Sequence, residues 1–151
     1  MAWLHQLGAE VKGYALPPKN PAELDLFTVM GGDELCHSVL ADIRDGERLR
    51  REVADFQPDF VFHLAAQPLV RRSYQEPIAT YETNVLGTGN VILSLQEVKK
   101  PCTAILITTD KVYENREWAW PYREMDRLGG YDPYSSSKAA AELLISSFRN
   151  S

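Results

Sequence analysis

AILITTDK at residues 104–111 and DPYSSSKAAAELL at residues 132–144 decide the fold of this chain. The first stretch opens with a β-branched apolar run typical of a buried strand and closes with four polar residues, 108–111. In the second, Asp132 and Pro133 are a typical helix start, and a helical pattern follows. Open α/β sheets bind their ligands at the carboxyl ends of strands. We therefore expect a functional site where these two stretches meet.

Tyr134 and Lys138 are four residues apart and share one face of the predicted helix. A free tyrosine titrates near pH ~10, but a neighbouring ammonium favours the tyrosinate. Tyr134 could then take a proton from a sugar hydroxyl while hydride leaves the same carbon. The spacing alone is a weak signal, because a core tyrosine beside a solvated lysine also has it. The preceding strand and its polar end favour the chemical interpretation.

Composition excludes several function classes. The chain has 151 residues, 44% hydrophobic and 25% charged, as expected for one globular domain. A net charge of −5 without a lysine- or arginine-rich run predicts no nucleic-acid partner and no anionic membrane. No apolar stretch approaches the ~20 residues of a membrane span, and the N-terminus does not have the pattern of a signal peptide. Cys36 and Cys102 lack metal-ligand spacing, so we predict free thiols in a reducing cytoplasm and no metal site.

The rest of the chain alternates between strands and helices. We predict a helix that closes at Gly8, a cap at Asp45, strands at 10–14, 36–43, 59–66 and from 103, and helices at 46–57 and 77–98. Residues 17, 18 and 21 are prolines in a predicted loop, and 24–32 fit either a loop or a single helical turn. This alternation predicts parallel pairing in an α/β fold.

Five blocks, in this order, resemble a known family: Asp42-Ile43-Arg44-Asp45, His63-Leu64-Ala65-Ala66-Gln67, Thr83-Asn84-Val85-Leu86-Gly87-Thr88, Thr108-Thr109-Asp110-Lys111 and Tyr134-x-x-x-Lys138. Together they resemble the extended short-chain dehydrogenases/reductases that act on nucleotide sugars, the NAD-dependent epimerase/dehydratase family. Within it, residues 67–71, 109–115 and 129–138 are similar to the CDP-glucose 4,6-dehydratases. The resemblance covers almost the whole chain. It implies a doubly wound, Rossmann-like parallel sheet, NAD as cofactor and CDP-glucose as substrate.

The resemblance also implies which residues contact the cofactor. Asp42 and Ile43 would border the adenine, and Thr83 would lie near the nicotinamide side. The pyrophosphate and nicotinamide would be lined by Leu64, Ala65, Ala66 and Gln67. Tyr134 and Lys138 would touch the cofactor and form the redox pair, with Thr109 hydrogen-bonded to the sugar hydroxyl. Because residues 14–18 contain no acid, the choice of NAD over NADP rests on the resemblance alone.

The enzymes of this family oxidise C4 of the glucose, eliminate water across C5 and C6, and return the hydride to C6. Elimination needs a base for the C5 proton and an acid for the C6 hydroxyl. Asp110 is our candidate acid and Lys111 our candidate base, and burial would favour the required neutral forms although their mutual attraction opposes it. A solvated strand-end pair is the alternative.

Four other residues have competing interpretations. Asp42 could be a helix-start residue instead of an adenine contact. His63 lies inside a predicted strand, where a packed, hydrogen-bonded core histidine is favoured over a catalyst. Trp118 and Trp120 could border the substrate or pack within their loop.

The chain departs from the family in two regions. The glycine-rich turn Gly-x-x-Gly-x-x-Gly and the first strand are absent, and Ser151 ends the chain before the part that supplies most of the nucleotide-sugar pocket. We therefore expect residues 1–151 to be a partial NAD-binding Rossmann domain, an internal fragment in which two parallel strands lack their shared neighbour. In isolation it should bind NAD weakly and have no turnover.

Two competing functions remain open. A nucleotide-sugar 4-epimerase shares the fold and the Tyr134–Lys138 pair but has no use for Asp110 and Lys111. A non-catalytic remnant could keep only the dimer surface, because the family pairs the helices at 83–98 and 134–149 across a homodimer. The apolar residues that we expect on that surface are Val91, Ile92, Leu95, Leu143 and Leu144.

Overall fold

The structure, a computed structural model, describes residues 1–18 and 25–151. It divides into two compact units, Met1–Ile43 and Arg44–Ser151. The proposed loop position Pro21 and the start of the ambiguous 24–32 segment at Leu24 lie outside the described residues.

In its described residues, 1–18 and 25–43, the unit Met1–Ile43 contains a two-stranded parallel sheet and three short helices. Its elements are α1 (Ala2–Gln6), β1 (Lys12–Ala15), α2 (Leu26–Val29), α3 (Gly32–Leu35) and β2 (His37–Leu40). Strands β1 and β2 pair in parallel, from Lys12 opposite His37 to Ala15 opposite Leu40. Gly8 follows α1 at φ +83°, a conformation open to glycine, which agrees with the predicted helix end. Residues 24–32 were predicted to form either a loop or a single helical turn. Helix α2 is such a turn, so the second alternative is confirmed for the described part of this segment.

The unit Arg44–Ser151 contains a second two-stranded parallel sheet and the longer helices. Its helices and strands are α4 (Gly46–Phe56), β3 (Phe60–His63), α5 (Val70–Gln75), α6 (Pro77–Tyr81), α7 (Gly87–Ser94), β4 (Thr103–Leu106) and α8 (Pro133–Asn150). A π-helix, Glu82–Leu86, joins α6 to α7, and 3₁₀ turns occupy Leu95–Glu97 and Asp110–Val112.

Two helix starts follow from local capping, as predicted. The carboxylate of Asp45 accepts the backbone N–H of Arg48 at 3.0 Å and starts α4. The carboxylate of Asp132 accepts the backbone N–H of Ser135 at 3.0 Å and starts α8, with Pro133 at the first helical position. Because Asp45 is the cap, the alternative interpretation of Asp42 as the helix-start residue is wrong.

The strands are shorter and less buried than predicted. Strands β3 and β4 pair from Phe60 opposite Thr103 to His63 opposite Leu106. Their burial alternates along the chain, and Phe60 is 63% exposed whereas His63 is buried. The prediction of buried strands therefore holds for one face of this sheet and is wrong for the other, which is open.

The predicted helix at 77–98 forms one continuous helical run with a wider turn inside it. The run passes from α6 through the π-helix into α7 and ends in a 3₁₀ turn. Within it, Val91 is buried, so its predicted place on a dimer surface is wrong. Leu143, on α8, is exposed as that prediction requires. The short helix α5 was not predicted.

Helix α8 packs against α5, α6, the π-helix, α7 and the 3₁₀ turn at 110–112. Several small residues lie on its buried face, among them Ser137, Ala139 and Ala141. Helices α4 and α7 form the other main contact of this unit. Within residues 1–18 and 25–151, no helix has both the length and the apolar character needed to cross a membrane.

Candidate active site

Lys138 lies on the buried face of α8 and is only 4% exposed. Its Nζ donates a hydrogen bond to the carbonyl oxygen of Ile107, the residue after β4, at 3.0 Å. Burial lowers the pKa of Lys138, and the negative charge of Glu142, one turn further along α8, partly opposes that shift. This contact fixes the ammonium at the carboxyl end of β4.

Tyr134 is the second residue of α8 and is half-buried. Its carbonyl oxygen accepts the hydroxyl hydrogen of Ser137 at 2.7 Å, inside the first turn. Tyr134 and Lys138 therefore lie one turn apart on a helix whose start is capped and whose lysine is tied to a strand end. The structure places Tyr134 and Lys138 one helical turn apart, with Lys138 at the end of β4.

Thr109, Asp110 and Lys111 form a tight turn directly after β4. The Thr109 hydroxyl donates to Oδ1 of Asp110 at 3.0 Å, and its oxygen accepts the backbone N–H of Lys111 at 3.4 Å. Asp110 and Lys111 are exposed. The burial that we expected for this couple is wrong in this chain, because the 3₁₀ turn buries Val112 instead and leaves the two charged side chains open.

The turn after β4 acts electrostatically on the start of α8. Burial tends to raise the pKa of Asp132, but hydrogen bonds from the Ser135 hydroxyl and from the backbone N–H groups of Ser135 and Tyr134 lower it. The positive charge of Lys111 lowers it further, so the pKa of Asp132 lies below its ordinary value. The 3₁₀ turn at 110–112 packs against α8, so the charge of Lys111 lies close enough to affect Asp132.

Residues 64–67 directly follow β3, and Gln67 is linked to α8 through Asn84. Leu64 is exposed, Ala65 and Ala66 are half-buried, and Gln67 is buried. The side chain of Gln67 is held by its own surroundings: Nε2 donates to Thr80 Oγ1 at 2.9 Å, and Oε1 accepts the backbone N–H of Leu69 at 2.7 Å. The Gln67 side chain is therefore already engaged, whereas the Leu64 side chain is open to a cofactor.

Asn84, in the π-helix, connects that segment to α8. Its Oδ1 accepts the backbone N–H of Gln67 at 2.8 Å, and its Nδ2 donates to the Gln67 carbonyl at 3.2 Å. The same Nδ2 donates to Ser137 Oγ at 2.8 Å. Asn84 is 1% exposed, so its buried side chain links the segment after β3 to α8.

Asn84 is the site residue that sequence reasoning did not single out, although its neighbour Thr83 was a candidate. Thr83 is half-buried in the same π-helix. Turns of this kind are frequent at functional sites. The signal that could have found Asn84 is an asparagine, a poor helix former, inside a predicted long helix.

His63 is a packed core histidine, as predicted. Its Nε2 lies 2.9 Å from the hydroxyl oxygen of Thr88, and that hydroxyl donates to the carbonyl of Asn84 at 2.7 Å. The threonine hydrogen is thus already used, which assigns the proton of the neutral ring to Nε2. Burial, and then the charge of Lys138, lower the pKa of His63 to about 4.

Asp42 and Ile43 belong to the unit Met1–Ile43. The carbonyl of Asp42 accepts the hydroxyl of Tyr14 at 3.1 Å, and Ile43 is buried. Cys36 and Cys102 are free thiols. In the described part of the chain, no group of three or more His, Cys, Asp or Glu side chains is placed to hold a metal ion.

A sequence profile of the GDP-mannose 4,6 dehydratase family matches residues 23–151. Over 149 residues the chain is 52% identical to a CDP-glucose 4,6-dehydratase from Salmonella typhimurium, an alignment that covers 99% of this chain and 41% of the relative. It is 32% identical to a CDP-paratose 2-epimerase from Salmonella typhi, over 79% of this chain and 39% of that relative. The chain thus spans about two fifths of the length of these relatives.

Solved structures have the same fold. A dTDP-glucose 4,6-dehydratase from Streptomyces venezuelae with NAD bound is 27% identical, with a TM-score of 0.79 over 94% of this chain and 42% of that one. A UDP-glucose 4-epimerase from Thermus thermophilus in complex with NAD is 28% identical, with a TM-score of 0.76 over 97% of this chain and 45% of that one. The predicted fold class, a doubly wound, Rossmann-like α/β fold with parallel pairing, is confirmed.

Proposed function

The chain belongs to the GDP-mannose 4,6 dehydratase family, and from that premise we propose that it carries the catalytic residues of an NAD-dependent nucleotide-sugar 4,6-dehydratase. The observation that carries the proposal is the buried Lys138, fixed to the end of β4 one helical turn after Tyr134. The identity to a CDP-glucose 4,6-dehydratase supports CDP-glucose as the substrate and the 4-keto-6-deoxy sugar nucleotide as the product.

NAD is the proposed cofactor, supported by its presence in two solved structures of this fold. When bound, it would accept hydride from C4 and return it to C6, so that it is recycled. The chain offers a suitable surface, because Ala65 and Ala66 have no side chain beyond Cβ and leave the backbone after β3 accessible. Residues Leu64 to Gln67, with Thr83, would line the pyrophosphate and nicotinamide. Residues Asp42 and Ile43 would border the adenine.

In the oxidation step, Tyr134 would take the proton of the C4 hydroxyl. Lys138 would favour the tyrosinate through its charge, which the hydrogen bond to Ile107 holds in place. Thr109 would donate to or accept from the same sugar hydroxyl and orient it.

In the elimination step, Lys111 as the neutral amine would take the proton from C5, and Asp110 as the neutral acid would give a proton to the departing C6 hydroxyl, which leaves as water. Both side chains are exposed at the end of β4, so this step needs the bound cofactor and sugar to cover them and favour the neutral forms. The C4 ketone makes the C5 proton acidic enough for this exchange, which is why oxidation must come first.

The rival function is a nucleotide-sugar 4-epimerase, favoured by the similarity to the Thermus thermophilus enzyme. An epimerase would use Tyr134 and Lys138 in the same way but would not need Asp110 or Lys111. The products separate the two functions: a 4-keto-6-deoxy sugar absorbs in alkali, and an epimer does not.

A homodimer through the helices at 83–98 and 134–149 is the proposed assembly, and the cytoplasm the proposed location. Leu86 and Leu143, on these two helices, are 62% and 63% exposed, which supports an apolar contact there. If the chain were a non-catalytic remnant, it would keep this contact without chemistry. It would then bind a full-length relative but not NAD.

To test this proposal, the matching segment of the Salmonella typhimurium CDP-glucose 4,6-dehydratase is replaced with this chain. We expect the chimera to convert CDP-glucose to a product that absorbs in alkali, and Tyr134→Phe to abolish the conversion. Tyr74→Phe, at an exposed position of α5, is the matched control and should keep full activity. A folded chimera that binds NAD but forms no absorbing product would overturn the proposal.

The isolated chain gives a second test. Because its sequence has no Gly-x-x-Gly-x-x-Gly turn, we expect it to bind NAD more weakly than micromolar and to have no turnover. Calorimetric titration with NAD that yields micromolar affinity would contradict this expectation.

A further inference from the structure

Ile107 and Thr108, the two residues that follow β4, bind side chains on consecutive turns of α8. The Ile107 carbonyl accepts a hydrogen bond from the Lys138 ammonium at 3.0 Å, and the Thr108 hydroxyl donates to Oε1 of Glu142. Lys138 and Glu142 are four residues apart, so they share one face of the helix. The end of β4 therefore fixes a cation and an anion of α8 one turn apart, the Lys138–Glu142 couple.

The surroundings of Lys138 disfavour its charge. Lys138 is 4% exposed, and its Nζ donates to a neutral carbonyl. A buried ammonium without a compensating anion is costly, and the neutral amine is then favoured. Burial accordingly lowers the pKa of Lys138, and the negative charge of Glu142 raises it. The two effects act in opposite directions on the same proton.

The other acidic groups on the elements packed against α8 are bound elsewhere. Their contacts are Glu76 with Arg72 at 2.8 Å, Glu82 with Arg44 at 3.3 Å, and Asp110 with the Thr109 hydroxyl at 3.0 Å. At the start of α8 itself, Asp132 is bound to Ser135. The remaining ionisable groups of these elements are not anions at neutral pH, namely Arg71, Tyr74, Tyr81 and Lys111. Among the described residues of these elements, Glu142 is thus the anion placed to compensate Lys138.

Two further titratable groups are affected by the couple. Burial, and then the charge of Lys138, lower the pKa of His63 to about 4, so His63 is neutral at neutral pH and supplies no charge. Burial raises the pKa of Tyr113, and nearby carboxylates, Glu142 among them, raise it further. Both charges of the couple therefore act beyond their own hydrogen bonds.

We propose that Glu142 is a positioning residue of the redox pair: held by Thr108, its carboxylate compensates the buried Lys138 and keeps it an ammonium beside Tyr134. This inference rests on the proposed function, in which Tyr134 reacts as a tyrosinate and needs that positive charge. Glu142 acts through Lys138 and has no contact of its own with sugar or cofactor in this proposal. Without the carboxylate, burial would favour the neutral amine, and the redox pair would lose its cation at a lower pH.

The test titrates the lysines of the full chain by NMR, through their ε-carbon signals. In the wild type we expect Lys138 to be an ammonium at neutral pH and to titrate at a lower pH than the exposed Lys99 and Lys100. Glu142→Gln should move the Lys138 titration to still lower pH, although the introduced amide oxygen can still accept the Thr108 hydroxyl. Glu97→Gln, at an exposed position of the 3₁₀ turn at 95–97, is the control and should leave it unchanged.

Glu142→Asp separates charge from side-chain length. Because it keeps the carboxylate, we expect its Lys138 to titrate closer to the wild type than that of Glu142→Gln. An identical titration in Glu142→Gln and the wild type, or equal shifts in the two variants, would overturn the proposal. A neutral Lys138 at neutral pH in the wild type would do the same, and that measurement decides even if a variant does not fold.

The chimera with the Salmonella typhimurium relative gives a readout during turnover. There, Glu142→Gln should make kcat fall at a lower pH on the alkaline side and leave the KM for CDP-glucose unchanged, because the carboxylate acts on Lys138 and not on the substrate. An alkaline fall at the wild-type pH would overturn the proposal. The NMR titration needs neither NAD nor turnover, so an inactive chimera would count against the proposed function, and the titration would still decide the role of Glu142.

Discussion

The side-chain amide of Asn84 donates a hydrogen bond to the hydroxyl of Ser137 at 2.8 Å, and this bond joins the π-helix to the helix that carries Tyr134 and Lys138. Through its other contacts, Asn84 also holds the backbone of Gln67 after β3. One buried side chain therefore sets the spacing between the proposed cofactor-contacting segment and the proposed redox pair. A polar network of this kind is favourable only when it is complete, because each unpaired group in the interior is costly.

Asn84→Ala should lower the free energy of unfolding by about 3 kcal/mol, because it leaves the Gln67 N–H without its acceptor and Ser137 without its donor. Urea unfolding followed by circular dichroism measures this loss. Asn150→Ala, at the exposed end of α8, is the control and should change stability by less than about 0.5 kcal/mol. A cost for Asn84→Ala as small as the control's would show that the network is not stabilising.

Gly130→Ala should destabilise the start of α8 by roughly 2 kcal/mol, because a Cβ at 130 would overlap the Cβ and backbone of Ser135, which cannot move cheaply. The neighbouring Gly129→Ala is a matched control, since its Cβ would meet only the Glu114 Cβ at 3.7 Å, an ordinary contact. Thermal unfolding should separate the two variants. Equal melting temperatures would contradict the close approach at Gly130.

His63 should make the free energy of unfolding depend on pH. The folded chain keeps its ring neutral down to a pKa of about 4, whereas the unfolded chain takes up a proton below about 6.5. The free energy of unfolding therefore decreases as the pH falls from about 6.5 to about 4, by about 3 kcal/mol in total. Urea unfolding between pH 7 and pH ~4 should show this slope.

His63→Gln should flatten that slope, since glutamine does not titrate. The exposed His5→Gln is the control and should leave the slope unchanged. A slope that persists in His63→Gln would assign the acid sensitivity to other groups.

Asp132 should stabilise α8 as a carboxylate. Burial opposes the charged form, but the hydrogen bonds and the charge of Lys111 outweigh it and hold the pKa of Asp132 below its ordinary value. Its contribution is therefore present above the ordinary aspartate pKa and is lost as pH falls through the lower, folded value. Asp132→Ala should cost about 1 kcal/mol at pH 7. This cost should shrink once the pH falls below about 4.

Asp132→Asn should keep the cap but lose this pH dependence, because an amide accepts the Ser135 N–H without titrating. Asp55→Ala, at an exposed position on α4, is the control. If the cost of Asp132→Ala were constant between pH 7 and pH ~3, the charge of Asp132 would not contribute to stability.

The features that could be predicted from sequence are those fixed by nearby residues. Asp45 and Asp132 each satisfy a backbone N–H three positions later, so the starts of α4 and α8 follow from the local sequence alone. The Tyr134–Lys138 spacing needs only a regular helix. Parallel pairing followed from the alternation of strands and helices.

The features that could not be predicted depend on distant parts of the chain. Strand β3 ends at His63 rather than at residue 66, because its length is set by its pairing with β4. The exposure of Asp110 and Lys111 depends on what covers the end of β4, which no local pattern specifies. Asn84 bonds to Gln67 and Ser137, which lie 17 and 53 positions away in the sequence. Helical periodicity does not predict contacts of such long range.

The π-helix at Glu82–Leu86 also constrains how this chain can change by insertion or deletion. A π turn holds one more residue than an α turn of similar height, so removing one residue there would restore a regular helix and keep the residues after it on nearly the same faces. Val91 would then stay on the buried side of α7, and Thr88 would still meet His63. Removing a residue from α7 itself would instead rotate everything after it by about 100°.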